Sequence, residues 1–386
     1  MERAFRGPEG PRFHLKPRSQ KRRSAAKTLA QAGSFARTCR ADNQRYPAPN
    51  RRTSPEPTDF LTCVLDFAAV SSPEPVGIRE RPSGVDLRVN VGTVPFKNPI
   101  IAASGTFGYG VEFASIVDLN RLGGIVVKGL SREPMAGNPA PRMAETASGM
   151  INAIGLQNVG VRAFVAEKLP DLRRFDTAII ANVFGNNISD YVEVIRVLED
   201  AEGLAAYELN VSCPNVEHGG AEFGVDPVLT AEVVRAARRA SKRPLWVKLS
   251  PAIGIIGLTA KAAESEGADA VVIANTYPAL CIDAHTRRSC LGSTTGGLSG
   301  AAIKPITVRL VHEASRVIQI PIIGLGGIEG PADVAEYMIV GASAVEVGTA
   351  HFVDPRASER LVGELEMWCR DEKLFEISHL RGSLES

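Results

Sequence analysis

Lysine, asparagine and serine side chains stand where short apolar runs of this 386-residue chain end. An ammonium is costly to bury without a partner, so the lysines at these ends indicate a binding site rather than packing. Glycine turns let backbone N–H groups approach oxygen atoms, which favours a phosphorylated ligand. The run ends are Ser104, Lys128, Asn182, Asn210, Lys248 and Asn275, followed by the turns Gly326–Gly327 and Gly348–Thr349. Lys248 would then face an electron-accepting cofactor ring and stabilise its negative charge.

Cys213 lies in the polar loop that follows the apolar run at 207–212. An isolated cysteine is more often a buried hydrophobe. The neighbours of Cys213 include Asn210 and Asn215 rather than apolar residues. We therefore predict a reactive thiol that acts as a nucleophile or as a base in proton transfer. His218 in the same loop is either a catalytic partner or a solvated loop residue.

The elements that must position these residues begin at about Val85, where nearly continuous apolar runs alternate with stretches of helical period. Such runs are typical of parallel strands buried on both faces. The runs are 98–104, 124–129, 178–185, 207–212, 245–250, 270–276, 321–327 and 343–349, and the helices include 157–169, 189–200, 226–241, 257–267, 301–317, 331–340 and 355–371. Eight strand–helix repeats predict an α/β fold, a (β/α)8 TIM barrel with active-site loop insertions.

Two details of the pattern refine this prediction. A doubly wound sheet would need a G-x-G-x-x-G turn after its first strand, and the first run ends in SGTFGYG instead. The alternating segment 85–97 predicts a small hairpin that closes the barrel floor.

Two long insertions follow strand ends and therefore lie on the face that carries the site in this fold. In the insertion 130–160, Asn152 and Asn158 offer amide groups to a heterocycle. The insertion 277–300 carries Cys281 and Cys290, which we interpret as structural. The six cysteines of the chain include no C-x-x-C pair, so we expect no metal or iron–sulfur site in this chain alone.

Charge is unevenly distributed along the sequence. Residues 1–55 hold 14 Lys and Arg against 3 Asp and Glu, whereas the remaining residues hold 30 against 40. Residues 1–84 are interpreted as a basic, disordered extension and 85–386 as the barrel domain. The extension fits a transit peptide, a tether to an anionic surface, or sequence upstream of the true start. The acidic body argues against nucleic-acid binding, and the apolar patch at 60–70 is too short to span a bilayer.

The sequence resembles the catalytic subunit of class 1 dihydroorotate dehydrogenases, specifically the NAD-linked class 1B form. The motifs that carry the resemblance are AASGTFGYG (102–110), MINAIGLQN (150–158), ELNVSCPN (208–215), VKLSP (247–251), TGGLSG…IKP (295–305), PIIGLGGI (321–328) and VGTAHF (347–352). The motif NAIGLQN favours class 1B over the fumarate-linked form. Cys213 argues against the membrane-bound class 2 enzymes, which have serine at this position.

The resemblance implies that the barrel, 85–386, binds FMN and oxidises dihydroorotate to orotate in pyrimidine biosynthesis. FMN would contact Ser104, Lys128, Gly129, Asn182, Asn210, Lys248, Ala274, Gly300, Gly326, Gly327, Gly348 and Thr349. The substrate would contact Lys128, Asn152, Ala153, Ile154, Gly155, Leu156, Asn210, Asn275 and Thr276. Cys213 would be the catalytic base that removes a proton from C5 of the ring.

The resemblance also implies a cytoplasmic protein with a second subunit that carries FAD and a [2Fe-2S] cluster and passes electrons to NAD. Two catalytic and two electron-transfer subunits would form a heterotetramer. The sequence departs from the family motifs at Ala252 and across 275–283. The resemblance therefore does not specify how these loops pack or how the partner docks. The alternatives are an FMN barrel that acts on free pyrimidine bases, as in dihydropyrimidine dehydrogenase, and a flavin-free phosphate-binding barrel without catalysis.

Overall fold

The barrel predicted from the sequence is confirmed in the computed structural model, which describes residues 84–211, 220–251 and 256–385. Within these residues, eight parallel strands form a closed ring, each pairing with the next along the chain. The strands are β1 (Ile100–Ala102), β2 (Gly124–Val126), β3 (Ala178–Val183), β4 (Ala206–Asn210), β5 (Leu245–Lys248), β6 (Ala270–Ile273), β7 (Ile322–Leu325) and β8 (Ala344–Val347). The ring closes where β8 pairs with β1, with Val345 opposite Ile100.

Helices follow the strands, as the periodicity predicts. They are α1 (Val161–Ala163), α2 (Leu169–Leu172), α3 (Ile188–Glu199), α4 (Gly220–Val225), α5 (Pro227–Ala240), α6 (Ile256–Ser265), α7 (Lys304–Ser315), α8 (Pro331–Ile339), α9 (Ala350–Val353) and α10 (Ala357–Asp371). A five-residue π-helix, Phe164–Lys168, joins α1 to α2, and short 3-10 turns lie at Val111–Phe113, Leu119–Arg121, Ala301–Ile303 and Ile377–Leu380. No helix of the described ranges is long and apolar enough to span a membrane.

The first predicted helix, 157–169, begins later than expected, at Val161. Asn158 is the reason, because its side-chain oxygen accepts hydrogen bonds from the backbone N–H groups of Gly160 and Ser131. A polar side chain that bonds its own backbone in this way holds a turn and competes with helix formation.

The predicted floor hairpin is also present. Val89–Val91 pairs with Val94–Phe96 in antiparallel fashion, and the valine side chains at both ends of the turn are buried. The Phe96 ring packs against that of Trp246, with centroids 6.1 Å apart. The hairpin thereby covers apolar side chains that the short strands would otherwise leave open to water.

The two long insertions meet in a separate antiparallel sheet, which we call the mouth sheet. Its strands are, in spatial order, Tyr277–Ala279, Gly296–Ser299, Gly149–Asn152 and Met143–Thr146. A small buried cluster of Ile151, Ala153 and Leu291 supports it. The next loop outward is the hairpin of Ile282–Asp283 and Arg288–Ser289.

His351 on α9 helps to fix the seam where the ring closes. One ring nitrogen, Nδ1, lies 3.2 Å from the Thr106 hydroxyl, and Nε2 lies 2.8 Å from the Ser358 hydroxyl. The imidazole also packs on the Phe107 ring at 4.8 Å. Burial lowers the pKa of His351 from 6.5 to about 4, so the ring is neutral at pH 7.

We expect the buried imidazole to make the fold sensitive to acid. The unfolded chain binds the proton of His351 near pH 6.5 and the folded chain only near pH 4, so stability falls as pH drops between these values. The full loss from this group is about 3 kcal/mol. Urea unfolding of His351→Gln should show a shallower loss over this range than wild type. Parallel pH profiles for the two proteins would contradict this role.

Candidate active site

One open cavity lies at the carboxyl ends of the barrel strands and encloses about 1200 Å³, open solvent at its mouth included. Residues from many separate strand ends and loops line it together. They include Ser104, Lys128, Gly129, Asn152, Ile154, Gly155, Leu156, Asn182, Asn210, Lys248, Ala274, Asn275, Thr276, Gly300, Gly326, Gly327, Gly348 and Thr349. The strand-end positions singled out from the sequence therefore converge in space, as the barrel geometry requires.

Lys248 lies at the base of this cavity between two carboxyl groups, one from the neighbouring strand β4 and one from β8, which does not pair with β5. Its Nζ is 3.0 Å from Glu346 Oε2 and 3.3 Å from Glu208 Oε1. Glu208 Oε1 also accepts a 2.5 Å hydrogen bond from the Asn182 amide. Glu208 and Glu346 are completely buried. The cluster thus joins β3, β4, β5 and β8 through polar contacts inside the barrel.

The protonation state of the cluster follows from its burial. Burial opposes the charge of Lys248, but Glu208 and Glu346 outweigh it and hold the pKa of this ammonium above its usual value. Burial, followed by the charge of Glu208, raises the pKa of Glu346 well above its usual value. Lys248 is therefore held in its charged form, and burial favours the protonated form of Glu346.

Glycine turns shape the side of the cavity formed after β7. Gly327 has φ of +65°, and a Cβ there would come within 2.8 Å of the Gly300 carbonyl oxygen. Gly300 itself has φ of +97°. The Tyr337 hydroxyl fixes the turn by donating a 2.7 Å hydrogen bond to the Gly326 carbonyl. Bulkier residues would fill this space, so the backbone stays open to a ligand.

Asn182 offers a further indication of a ligand. Its side-chain Oδ1 is buried and has no hydrogen-bond partner among the described residues, although buried polar groups usually have one. A Cβ on Gly129 would come within 2.9 Å of this oxygen. Glycine therefore leaves room beside a polar group that still requires a partner, which is a feature expected of a cofactor site.

Amide side chains gather around the outer part of the cavity. Asn275 Nδ2 donates a 3.2 Å hydrogen bond to Asn210 Oδ1, and Asn275 Oδ1 accepts from the Thr276 backbone at 2.8 Å. Asn152 on the mouth sheet donates to the Gly297 carbonyl at 3.3 Å. Such amides present both donors and acceptors, which suits a flat heterocycle with alternating polar atoms.

Lys128 is half-buried in the wall of the same cavity. Burial lowers the pKa of its ammonium, Glu112 acts in the opposite direction, and Arg142 lowers it further. A bound carboxylate would replace lost solvation and favour the charged form. Lys128 is thus suited to an anionic ligand.

The sequence matches the model of one protein family. The family described as dihydroorotate dehydrogenase matches residues 86–368, which is nearly all of the barrel and its insertions. This chain belongs to the dihydroorotate dehydrogenase family. It is accordingly an oxidoreductase of dihydroorotate in pyrimidine biosynthesis, and the family predicted from the motifs is confirmed.

Individual relatives of this dihydroorotate dehydrogenase differ in the electron acceptor that their names specify. A protein of Solibacter usitatus, provisionally named dihydroorotate dehydrogenase A (fumarate), is 58% identical over 299 residues, 78% of this chain and 98% of its own. The protein of Thermodesulfovibrio yellowstonii named dihydroorotate dehydrogenase B (NAD(+)), catalytic subunit, is 48% identical over 299 residues, 78% of this chain and 99% of its own. A Pelobacter propionicus protein of that same name is also 48% identical, over 300 residues, 78% of this chain and 99% of its own.

A solved structure supports the fold. The crystal structure of DHODH from Eimeria tenella in complex with ferulenol has a TM-score of 0.67 and 22% sequence identity to this chain. It covers 77% of this chain and 88% of its own.

Several residues of the sequence prediction fall outside the cavity or outside the described residues of this dihydroorotate dehydrogenase. Asn158 was expected to offer its amide to a heterocycle, and this is wrong: it is buried, and its side chain bonds Ser131, Leu156 and Gly160. Ala153 packs in the small cluster beneath the mouth sheet. The catalytic prediction for Cys213 lies outside the described residues, as do Ser212, Asn215, His218, Ala252 and residues 1–83.

Sequence reasoning missed Glu208 and Glu346, although a signal was present. Each is a lone carboxylate inside an apolar strand, in AYELN and AVEV. The cost of burying Lys248 implies such a carboxylate partner. Among the described residues, no group of three or more His, Cys, Asp or Glu is arranged to hold a metal ion.

The contacts of Lys248 predict unequal effects of removing one or both of its carboxyl partners. Burial favours the protonated form of Glu346, which Glu346→Gln mimics, so this variant should leave the free energy of unfolding within about 1 kcal/mol of wild type. The double variant Glu208→Gln/Glu346→Gln leaves the Lys248 ammonium without a carboxyl partner and should cost about 3 kcal/mol or more. Urea titrations measure both. A single variant as destabilised as the double would contradict this prediction.

Proposed function

We propose that this chain is the FMN-containing catalytic subunit of an NAD-linked dihydroorotate dehydrogenase. One observation supports the proposal above all. All the residues that the resemblance assigns to FMN line a single cavity, which lies above the Lys248 cluster. The family membership supplies the reaction, the oxidation of dihydroorotate to orotate.

The residues of the cavity fit FMN in two respects. The open turns at Gly326–Gly327 and Gly348–Thr349 follow β7 and β8, the usual phosphate position in barrels of this kind. The charged Lys248 and the unpartnered Asn182 oxygen lie deeper, where a polar ring system requires partners. Bound FMN supplies a two-electron acceptor for hydride that leaves C6 of the substrate.

Lys128 and the asparagines are proposed to bind and orient the substrate. The ammonium of Lys128 would pair with the carboxylate of dihydroorotate, and burial strengthens that attraction. Asn152, Asn210 and Asn275 would hold the flat ring by hydrogen bonds to its amide groups. A free pyrimidine base lacks the carboxylate and would leave Lys128 without its partner.

Cys213 is proposed to remove the proton from C5 of the substrate. It follows β4 by only three residues, and Asn210 at the end of that strand lines the cavity. An unperturbed thiol has a pKa of about 8.5, so only a minor fraction is thiolate at neutral pH. Activity should therefore rise with pH unless the loop lowers this pKa.

Replacement of Cys213 tests the proton-transfer step. Cys213→Ser should retain FMN but lose most turnover at neutral pH, because the serine hydroxyl is far less acidic than a thiol. Flavin absorbance and turnover are measured on the same preparation across a pH series. Cys290→Ser under reducing conditions is the matched control and should behave as wild type. Unchanged turnover of Cys213→Ser would remove this residue from the mechanism.

The route of electrons after the substrate has been oxidised is proposed from the class 1B resemblance. A second subunit with FAD and a [2Fe-2S] cluster would accept them and reduce NAD, in a heterotetramer with two subunits of each kind. The names of the Thermodesulfovibrio yellowstonii and Pelobacter propionicus relatives support NAD and a catalytic subunit, whereas that of the Solibacter usitatus relative specifies fumarate.

The choice of acceptor is tested with the isolated chain. Dihydroorotate-dependent reduction of NAD should be absent for the chain alone, and it should appear when an electron-transfer subunit is added. Fumarate should not replace NAD in either assay. Robust NAD reduction by the chain alone, or rapid turnover with fumarate, would contradict the class 1B assignment while leaving the oxidation of dihydroorotate intact.

A further inference from the structure

Cys281 and Cys290 face each other at the base of the hairpin of Ile282–Asp283 and Arg288–Ser289, which extends outward from the mouth sheet. Their sulfur atoms are 2.9 Å apart, and the backbone N–H of Cys290 donates a 3.0 Å hydrogen bond to the Cys281 carbonyl. The next pairs along the hairpin, Ile282 with Ser289 and Asp283 with Arg288, continue the same register. The two cysteines are therefore directly opposed, and both are free thiols.

Opposed positions on antiparallel strands suit a disulfide. The Cα atoms of a hydrogen-bonded pair such as Cys281 and Cys290 are about 5.5 Å apart, which lies inside the range that a disulfide spans. Both side chains are half-buried, so a small reagent can reach them. By contrast, Cys369 is completely buried in the barrel core.

We propose that Cys281 and Cys290 are a reversible thiol–disulfide modification site that locks the mouth sheet. The oxidant is a low-molecular-weight disulfide. One of the two cysteines attacks it as thiolate and forms a mixed disulfide as one small thiol leaves. The other cysteine then displaces the second small thiol, so that the two small thiols released carry the two protons and the two electrons of the protein thiols.

The disulfide would join two positions in the segment that connects Tyr277–Ala279 to Gly296–Ser299, two strands of the mouth sheet. Cys281 follows Tyr277–Ala279 and packs with Leu298 on the cluster around Ile151. Gly297 on the partner strand accepts the hydrogen bond of Asn152 in the cavity wall. The disulfide would restrict the motion of this segment and, through the mouth sheet, the motion of one wall of the cavity.

Peptide mapping of the purified full-length protein tests the bond itself. The protein is incubated with glutathione disulfide, quenched in acid, alkylated and digested with trypsin. Arg287 and Arg288 lie between the cysteines, so trypsin separates them unless a disulfide joins the two peptides. We expect the joined pair, lighter by two hydrogens and released by a reductant.

Single variants provide the matched controls. Cys281→Ser and Cys290→Ser should each leave a mixed disulfide with glutathione on the remaining cysteine. Full alkylation of both thiols in wild type, a separate glutathione on each, or a bond to another cysteine such as Cys213 would overturn the proposal.

Amide hydrogen exchange tests the locking. Oxidation of wild type should slow exchange across 277–299, and the double variant Cys281→Ser/Cys290→Ser should show no such change on identical treatment. Equal exchange in oxidised and reduced wild type would overturn this part of the proposal. Neither readout requires turnover, so the result is separate from that of the proposed reaction.

Discussion

The charge balance around Lys248 is the constraint on which the rest of the site depends. An ammonium inside a barrel is tolerated only with a counter-ion, and Glu208 and Glu346 must therefore point inward beside it. Strand register makes this possible, since Asn210 pairs with Lys248 and Glu346 with Ile101. A slip of one residue in either strand would turn a charged side chain outward and leave the others unpaired. The cluster thus specifies register as well as charge.

The cavity is the next layer above that cluster. Asn182 links the two levels, because it bonds Glu208 below and lines the cavity above. Around it, each strand ends in a residue with a polar side chain or an open backbone, and the mouth sheet adds the outer wall. The barrel fixes where these residues lie, whereas the insertions decide what shape of ligand the mouth accepts.

The sequence predicted the barrel well because its short apolar runs leave little alternative. The eight strands and the floor hairpin are present, and the strand-end lysines and asparagines meet as expected. The carboxyl partners of Lys248 could not be assigned, since Glu346 lies on β8, which does not pair with β5, and meets Lys248 inside the barrel. Asn158 was misjudged because an amide that bonds its own backbone looks the same in sequence as one that binds a ligand. The pairing of Cys281 with Cys290 required the hairpin register.

We propose that the cavity above Lys248 holds a flavin that dihydroorotate reduces. The visible spectrum of the purified chain, recorded without oxygen during a titration with dihydroorotate, tests this most directly. We expect a yellow protein whose flavin absorbance bleaches with about one equivalent of dihydroorotate per site and is unaffected by dihydrouracil. A colourless protein, or a flavin that dihydrouracil bleaches equally well, would contradict it.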